Sequence, residues 1–77
     1  MKRVIVFTGS KCQSCHAYIA KLLKHEIKFT EVSTDTLDGA LMAAKHHVRS
    51  LPTTIIGGTS IIGNVPINKI TEALKNK

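Results

Sequence analysis

The chain has no tryptophan, one tyrosine (Tyr18) and two phenylalanines (Phe7 and Phe29) in 77 residues. Its core must therefore be aliphatic, and it lacks the aromatic side chains on which nucleic-acid bases stack. Acids are scarce too: five Asp and Glu stand against eleven Lys and Arg, a net charge of +6. The basic residues are scattered along the chain rather than clustered, so nucleic acid is not the expected partner. Two readings of the charge stay open, attraction to an acidic protein partner and a plain solvated surface. Long apolar runs are missing as well. Met1-Lys2-Arg3 is basic, but Val4 to Phe7 is far shorter than the apolar segment of a secretory signal. No stretch approaches the roughly 20 apolar residues of a membrane span. Repeats and low-complexity segments are also lacking. The expectation is one small cytoplasmic domain over residues 1–77, with no membrane or nucleic-acid partner. An apolar content of 43% is ordinary for a folded chain.

Against these absences stands Thr8-Gly9-Ser10-Lys11-Cys12-Gln13-Ser14-Cys15-His16, which holds both cysteines. It follows a run of β-formers and precedes a helical pattern, which puts Cys12 in a loop capping a helix and Cys15 in the first turn. A helix start presents unpaired backbone N–H groups and the positive end of the macrodipole. Both favour a thiolate over a thiol, and the thiolate is the reactive species.

In order along the chain, Lys2 to Thr8 is predicted as a strand, unbroken from Val4 to Phe7 as in a sheet covered on both faces. Ser14 to about Lys24 is predicted as a helix with Cys15, Tyr18, Ile19, Leu22 and Leu23 on its inner face and Lys21 and Lys24 outside. Lys28 to Ser33 is a half-polar strand suited to a sheet edge. Thr34-Asp35-Thr36 opens a second helix reaching about His47, with Leu37, Leu41, Ala44 and Val48 on one face. Gly39 in its first turn weakens it by up to about 1 kcal/mol relative to Ala. Leu51-Pro52 follows the break. Thr53 to Ile56 and Thr59 to Ile62 are strands joined through Gly57-Gly58, a two-residue hairpin signal with positive φ open to both glycines. Asn64-Val65-Pro66 opens a last helix with Ile67, Ile70 and Leu74 inside, and the tail Lys75-Asn76-Lys77 frays. The order is β-α-β-α-β-β-α: an α/β, four-stranded mixed sheet with three helices, a parallel core and an antiparallel hairpin edge.

Cys12-Gln13-Ser14-Cys15-His16 admits several chemistries. C-x-x-C-H also marks c-type haem attachment, which requires export and a second axial ligand. Zinc or an iron–sulfur cluster needs more ligands than Cys12 and Cys15 supply, and the four histidines are poorly spaced to add them. A cluster shared between two chains stays open. Two inert thiols are the blandest reading. Strand, C-x-x-C and helix within a βαβ unit favour a redox dithiol. Tyr18 and Ile19 read as core, His16 as a partly exposed bystander, and His25, His46 and His47 as surface.

On Cys12-Gln13-Ser14-Cys15 after the first strand, Leu51-Pro52 before the third, and the Gly63 region after the hairpin, nearly the whole chain resembles the thioredoxin superfamily. Within it the chain looks like the glutaredoxins. The resemblance implies a thioredoxin-like fold and a cis Pro52 beside the C-x-x-C. It implies that the Leu51 backbone receives an extended thiol peptide strand-wise. It implies Cys12 as nucleophile and Cys15 as resolving thiol. Lys11, Gln13, Leu51, Pro52, Gly63 and Asn64 are the expected substrate-binding residues. Lys11 has two readings, a charge favouring the Cys12 thiolate or a solvated loop lysine. Gln13 and Ser14 supply polar groups where glutaredoxins often have C-P-Y-C. Glutathione users carry Gly-Gly and then a polar or acidic residue. Here Ile62 replaces the first glycine and only Asn64 offers a hydrogen bond. Gly63-Asn64-Val65-Pro66 is instead similar to the Gly-x-x-Pro of the glutaredoxin-like redoxins that serve ribonucleotide reductase. The expected function is a monomeric thiol–disulfide oxidoreductase and electron carrier for disulfide-bearing proteins, with no bound cofactor or metal. Electrons come from thioredoxin reductase and NADPH, or alternatively from glutathione. The reading of another class is an iron–sulfur or metal carrier using Cys12 and Cys15.

Overall fold

The computed structural model describes residues 3–75. Lys2, the expected start of the first strand, and Asn76 and Lys77 of the tail lie outside the described residues. The elements are β1 Val4–Thr8, α1 Gln13–Lys24, β2 Thr30–Ser33, α2 Leu37–Lys45, β3 Thr53–Ile56, β4 Thr59–Ile62 and α3 Ile67–Lys75. They form one four-stranded mixed sheet in the order β2-β1-β3-β4, with the three helices of the expected thioredoxin-like arrangement.

β1 is parallel to β2, with Thr8 opposite Ser33, and antiparallel to β3, with Phe7 opposite Thr53. The parallel part is thus a single pair, smaller than the parallel core expected from the sequence. The reason is where the chain returns. β2 ends at the same end of the sheet at which β3 begins, and a strand entering from that end must run against β1.

Period-two alternation divides the core. Val4, Val6 and Ile56 face one side and pack with Tyr18 and Leu22 of α1 and Ile70 of α3. Phe7 and Ile55 face the other and pack with Ala43 of α2. Each large aliphatic side chain taken wholly out of water contributes about 1.5–3 kcal/mol. Tyr18 adds a polar tie: its hydroxyl and that of Thr54 lie 2.6 Å apart, both fully buried. Burial pushes the Tyr18 phenol above its ordinary value, and the Thr54 hydrogen bond partly offsets this.

The helix faces depart from the sequence reading in two places. On α1, Cys15, Tyr18 and Leu22 are buried, whereas Leu23 is 64% exposed. On α2, the expected inner residues Leu37 and Leu41 are 76% and 60% exposed, and the buried pair is Gly39 and Ala43. Gly39 explains the inversion. A Cβ built there would lie 1.7 Å from the Ser33 carbonyl oxygen and 2.9 Å from Thr36 Oγ1. The helix meets the end of β2 so closely that its small residues must face inward.

Both α1 and α2 end in the same two-bond cap. After α1, Glu26 N–H donates to Leu23 O and Ile27 N–H to Leu22 O, each at 3.0 Å. After α2, His47 N–H donates to Ala44 O and Val48 N–H to Ala43 O, at 3.1 and 2.9 Å. This closure takes a left-handed residue, here Glu26 (φ +56°) and His47 (φ +59°). His47 therefore lies beyond the helix that was expected to include it. In the hairpin, Gly57 is the glycine that takes positive φ, at +61°. The bounds of β3 and β4 coincide with expectation, β2 is an edge strand, and Ile67, Ile70 and Leu74 of α3 all pack into the core.

Candidate active site

β1 ends at Thr8, and the chain turns through Gly9–Cys12 into α1, with Cys12 N–H donating to Gly9 O at 3.2 Å. Cys12 occupies the N-cap with extended backbone (φ −95°, ψ 99°). Its Sγ accepts the Cys15 backbone N–H at 3.1 Å and lies 3.4 Å from Ser14 Oγ. A sulfur thus takes the place of the usual capping oxygen and satisfies one of the orphan N–H groups of the helix start. The Cys15 N–H, a donor of the kind that favours an anion, is aimed at that atom. The two sulfurs are joined in a disulfide, with Cα atoms 5.2 Å apart. Cys15 is 2% exposed while Cys12 is half-exposed, so an incoming group reaches Cys12 first.

The turn after β2 holds the loop in place. Thr34 donates to Thr8 O through both its N–H (2.8 Å) and its hydroxyl (2.9 Å). Asp35 Oδ2 accepts Ser10 N–H at 2.9 Å. The Ser10 hydroxyl and N–H hold the Asp35 carboxyl below its ordinary value, with lesser help from Ser33 and Lys11. Thr8 Oγ1 donates to Glu31 at 2.8 Å. Gly9 allows the close approach of Leu51, whose Cδ1 would lie 3.0 Å from a Cβ at that position.

Leu51, Lys11 and Cys12 line one groove together with Thr34 and Asp35. The Leu51–Pro52 bond is cis and Pro52 is buried. Among the described residues, the Leu51 backbone N–H and C=O have no hydrogen-bond partner within the chain. An extended peptide in the groove would find both groups available. Gly63, at φ +92°, donates its N–H to Pro52 O at 2.8 Å, tying the turn after β4 to the cis proline. Asn64 is engaged elsewhere: its Oδ1 accepts Lys21 Nζ at 2.7 Å. Lys21 also donates to Val65 O at 2.8 Å and sits 5.9 Å from the Tyr18 ring centroid. Gln13 is exposed beside Cys12. His16 is exposed on a second cleft with Cys15, Thr8, Glu31 and Asp35. His46, expected at the surface, is half-buried with its ring 5.8 Å from Phe7. Among the described residues, no group of three or more His, Cys, Asp or Glu side chains is placed to hold a metal ion.

Sequence reading missed Asp35 as a site residue and Lys21 as a tie to Asn64. Each has a partner far along the chain, 25 and 43 residues away, beyond the reach of any local pattern.

No protein-family model and no curated protein sequence matches the chain. Solved structures do. The glutaredoxin from Methanosarcina mazei Go1 superposes with a TM-score of 0.78 at 28% identity, over 96% of this chain and 79% of that one. The glutaredoxin-like protein NrdH-redoxin from Escherichia coli, described by its thioredoxin-like activity profile, matches at 0.73 and 28% identity, over 88% and 93%. The fold of this chain is glutaredoxin-like. A glutaredoxin from Archaeoglobus fulgidus shares the fold at a TM-score of 0.75 and 19% identity, over 99% and 89%. Glutaredoxin-like form, a C-x-x-C disulfide at a helix start and a half-exposed first cysteine together make the chain a thiol–disulfide oxidoreductase that acts on disulfide-bearing partners.

Proposed function

We propose that the chain is a small cytoplasmic electron carrier that reduces protein disulfides and is recharged by thioredoxin reductase. The observation that carries this reading is the Cys12 sulfur seated in the N-cap of α1, with Cys15 buried one turn on. In the reduced chain, Cys12 thiolate attacks one sulfur of a substrate disulfide. A Cys12–substrate bond forms and the other substrate sulfur leaves as thiolate. Cys15 then gives up its proton, and its thiolate attacks Cys12 Sγ. The Cys12–Cys15 disulfide closes and the second substrate thiolate departs. Two electrons have passed to the substrate, and a reductase returns two to the chain.

The choice of reductant is supported by the turn after β4. Ile62 stands where glutathione users carry a glycine, and the Asn64 side-chain oxygen is held by Lys21. The match to NrdH-redoxin, described by its thioredoxin-like activity profile, supports the same choice of reductant. The similarity of Gly63-Asn64-Val65-Pro66 to the Gly-x-x-Pro of redoxins that serve ribonucleotide reductase makes that enzyme a candidate substrate. Lys11 and Leu51 line the groove in which that substrate would lie; Gln13 and Pro52 follow the lining residues Cys12 and Leu51 in the chain, and Gly63 is hydrogen-bonded to Pro52. Metal or cluster carriage is the weaker reading, since the site offers two cysteine donors and no further ligand group among the described residues. The test is recharging of the oxidised chain during insulin reduction. NADPH with thioredoxin reductase should sustain turnover. Turnover sustained only by glutathione and its reductase would reassign the chain to the glutathione users.

A further inference from the structure

Asp35 lies 20 residues beyond Cys15, yet it borders both sulfurs' surroundings. It lines the groove that holds Cys12, Lys11 and Leu51, and also the cleft that holds Cys15 and His16. Its Oδ2 is fixed by the N–H of Ser10, two residues before Cys12. The turn carrying it is fixed in turn by Thr34 on Thr8 O and by Asp35 N–H donating to Ser33 Oγ at 3.2 Å. A negative charge is thus held in the groove that also contains the sulfur that must become negative. Nothing in the exchange chemistry uses that charge.

We propose that Asp35 is a positioning residue with two separable effects: it anchors the Gly9–Cys12 loop through Ser10, and its charge restrains thiolate formation at Cys12. The proposal rests on the thiol–disulfide reading above. Among the described residues, four charged or titratable side chains besides the cysteines line the two clefts. Lys11 comes from the loop, His16 from α1, Glu31 from β2 and Asp35 from the β2–α2 turn, while the β3 side offers uncharged Leu51. The α1 N-terminus and Lys11 favour the anion, and Asp35 opposes them. Such a balance sets how much thiolate Cys12 presents at neutral pH, and with it the rate of attack.

Asp35→Asn separates the two effects, because the amide oxygen still accepts the Ser10 N–H while the charge is gone. Loss of one like charge across a solvated groove lowers a thiol pKa by about 0.3–0.8 units. The thiolate fraction below the pKa then rises about two- to sixfold. The experiment is a pH titration of the reduced chain by thiolate ultraviolet absorbance, for the unaltered protein, Asp35→Asn and Lys11→Met, at low salt and at about 1 M salt. The expected result is a lower Cys12 pKa in Asp35→Asn, a higher one in Lys11→Met, and collapse of both shifts in high salt. No shift in Asp35→Asn, or one of equal size in high salt, would overturn the charge effect. Asp35→Ser also keeps an oxygen acceptor and repeats the test should the Asn chain not fold. The titration needs neither substrate nor reductase. An inactive chain showing these shifts would sink the exchange reading and still support the assignment of Asp35.

Discussion

Replacing Gly39 by Ala should destabilise the protein, although Ala is the better helix former by about 1 kcal/mol. The added Cβ would sit 1.7 Å from the Ser33 carbonyl oxygen, a backbone atom with no rotamer to change. Relief needs a displacement of more than about 1 Å between the first turn of α2 and the end of β2, typical of overpacking that costs about 1–3 kcal/mol. The same turn carries the N-cap. Thr36 Oγ1 accepts Gly39 N–H at 2.9 Å and donates to Ser33 O at 3.1 Å, and losing such a cap costs about 1 kcal/mol. Setting these against the propensity gain leaves a net loss of about 1–3 kcal/mol. A domain of this size has only about 4–11 kcal/mol in total. Urea denaturation should show a lower midpoint with an unchanged slope. Gly39→Ala as stable as the parent, or more so, would refute the close approach of α2 to β2.

Tyr18→Phe should cost about 1–2 kcal/mol, because it leaves the buried Thr54 hydroxyl without its partner. Adding Thr54→Val should recover most of that loss by urea denaturation. The phenol is held above its ordinary value of 10.0, so above that pH the unfolded chain ionises while the folded chain keeps its proton. Tyr18 therefore lends a stability present below pH 10 and lost as pH rises, and the gap between parent and Tyr18→Phe should narrow in alkali. His47→Gly should stabilise by about 0.5–1 kcal/mol, since glycine adopts φ +59° without steric cost. An unchanged or lower denaturation midpoint would contradict the left-handed cap.

The strands Thr53–Ile56 and Thr59–Ile62 were legible because turn residues and β-branched runs mark them locally. Cys12 as helix cap was legible for the same reason, from a strand ending at Thr8 and a helical period beginning after it. What escaped was set by distance or by size. The α2 face was inverted because large apolar residues were taken to mark the inside, whereas contact with Ser33 admits only Gly39 and Ala43 there. The direction of β3 depends on where the chain re-enters the sheet, which no window of residues records. The left-handed caps fell on Glu26 and His47 rather than glycine, so their usual signal was missing. Asp35 was read as one member of a helix-start cluster, and its bond to Ser10 exists only in three dimensions.

The central claim is that the α1 N-terminus makes Cys12 an acidic, accessible thiol while Cys15 waits buried behind it. Its most direct measurement is the rate of iodoacetamide alkylation of each cysteine in the reduced chain as a function of pH. The account predicts that Cys12 reacts well ahead of Cys15, with a midpoint below the roughly 8.5 of a free cysteine. Equal rates at the two thiols, or a Cys12 midpoint at or above that value, would contradict it.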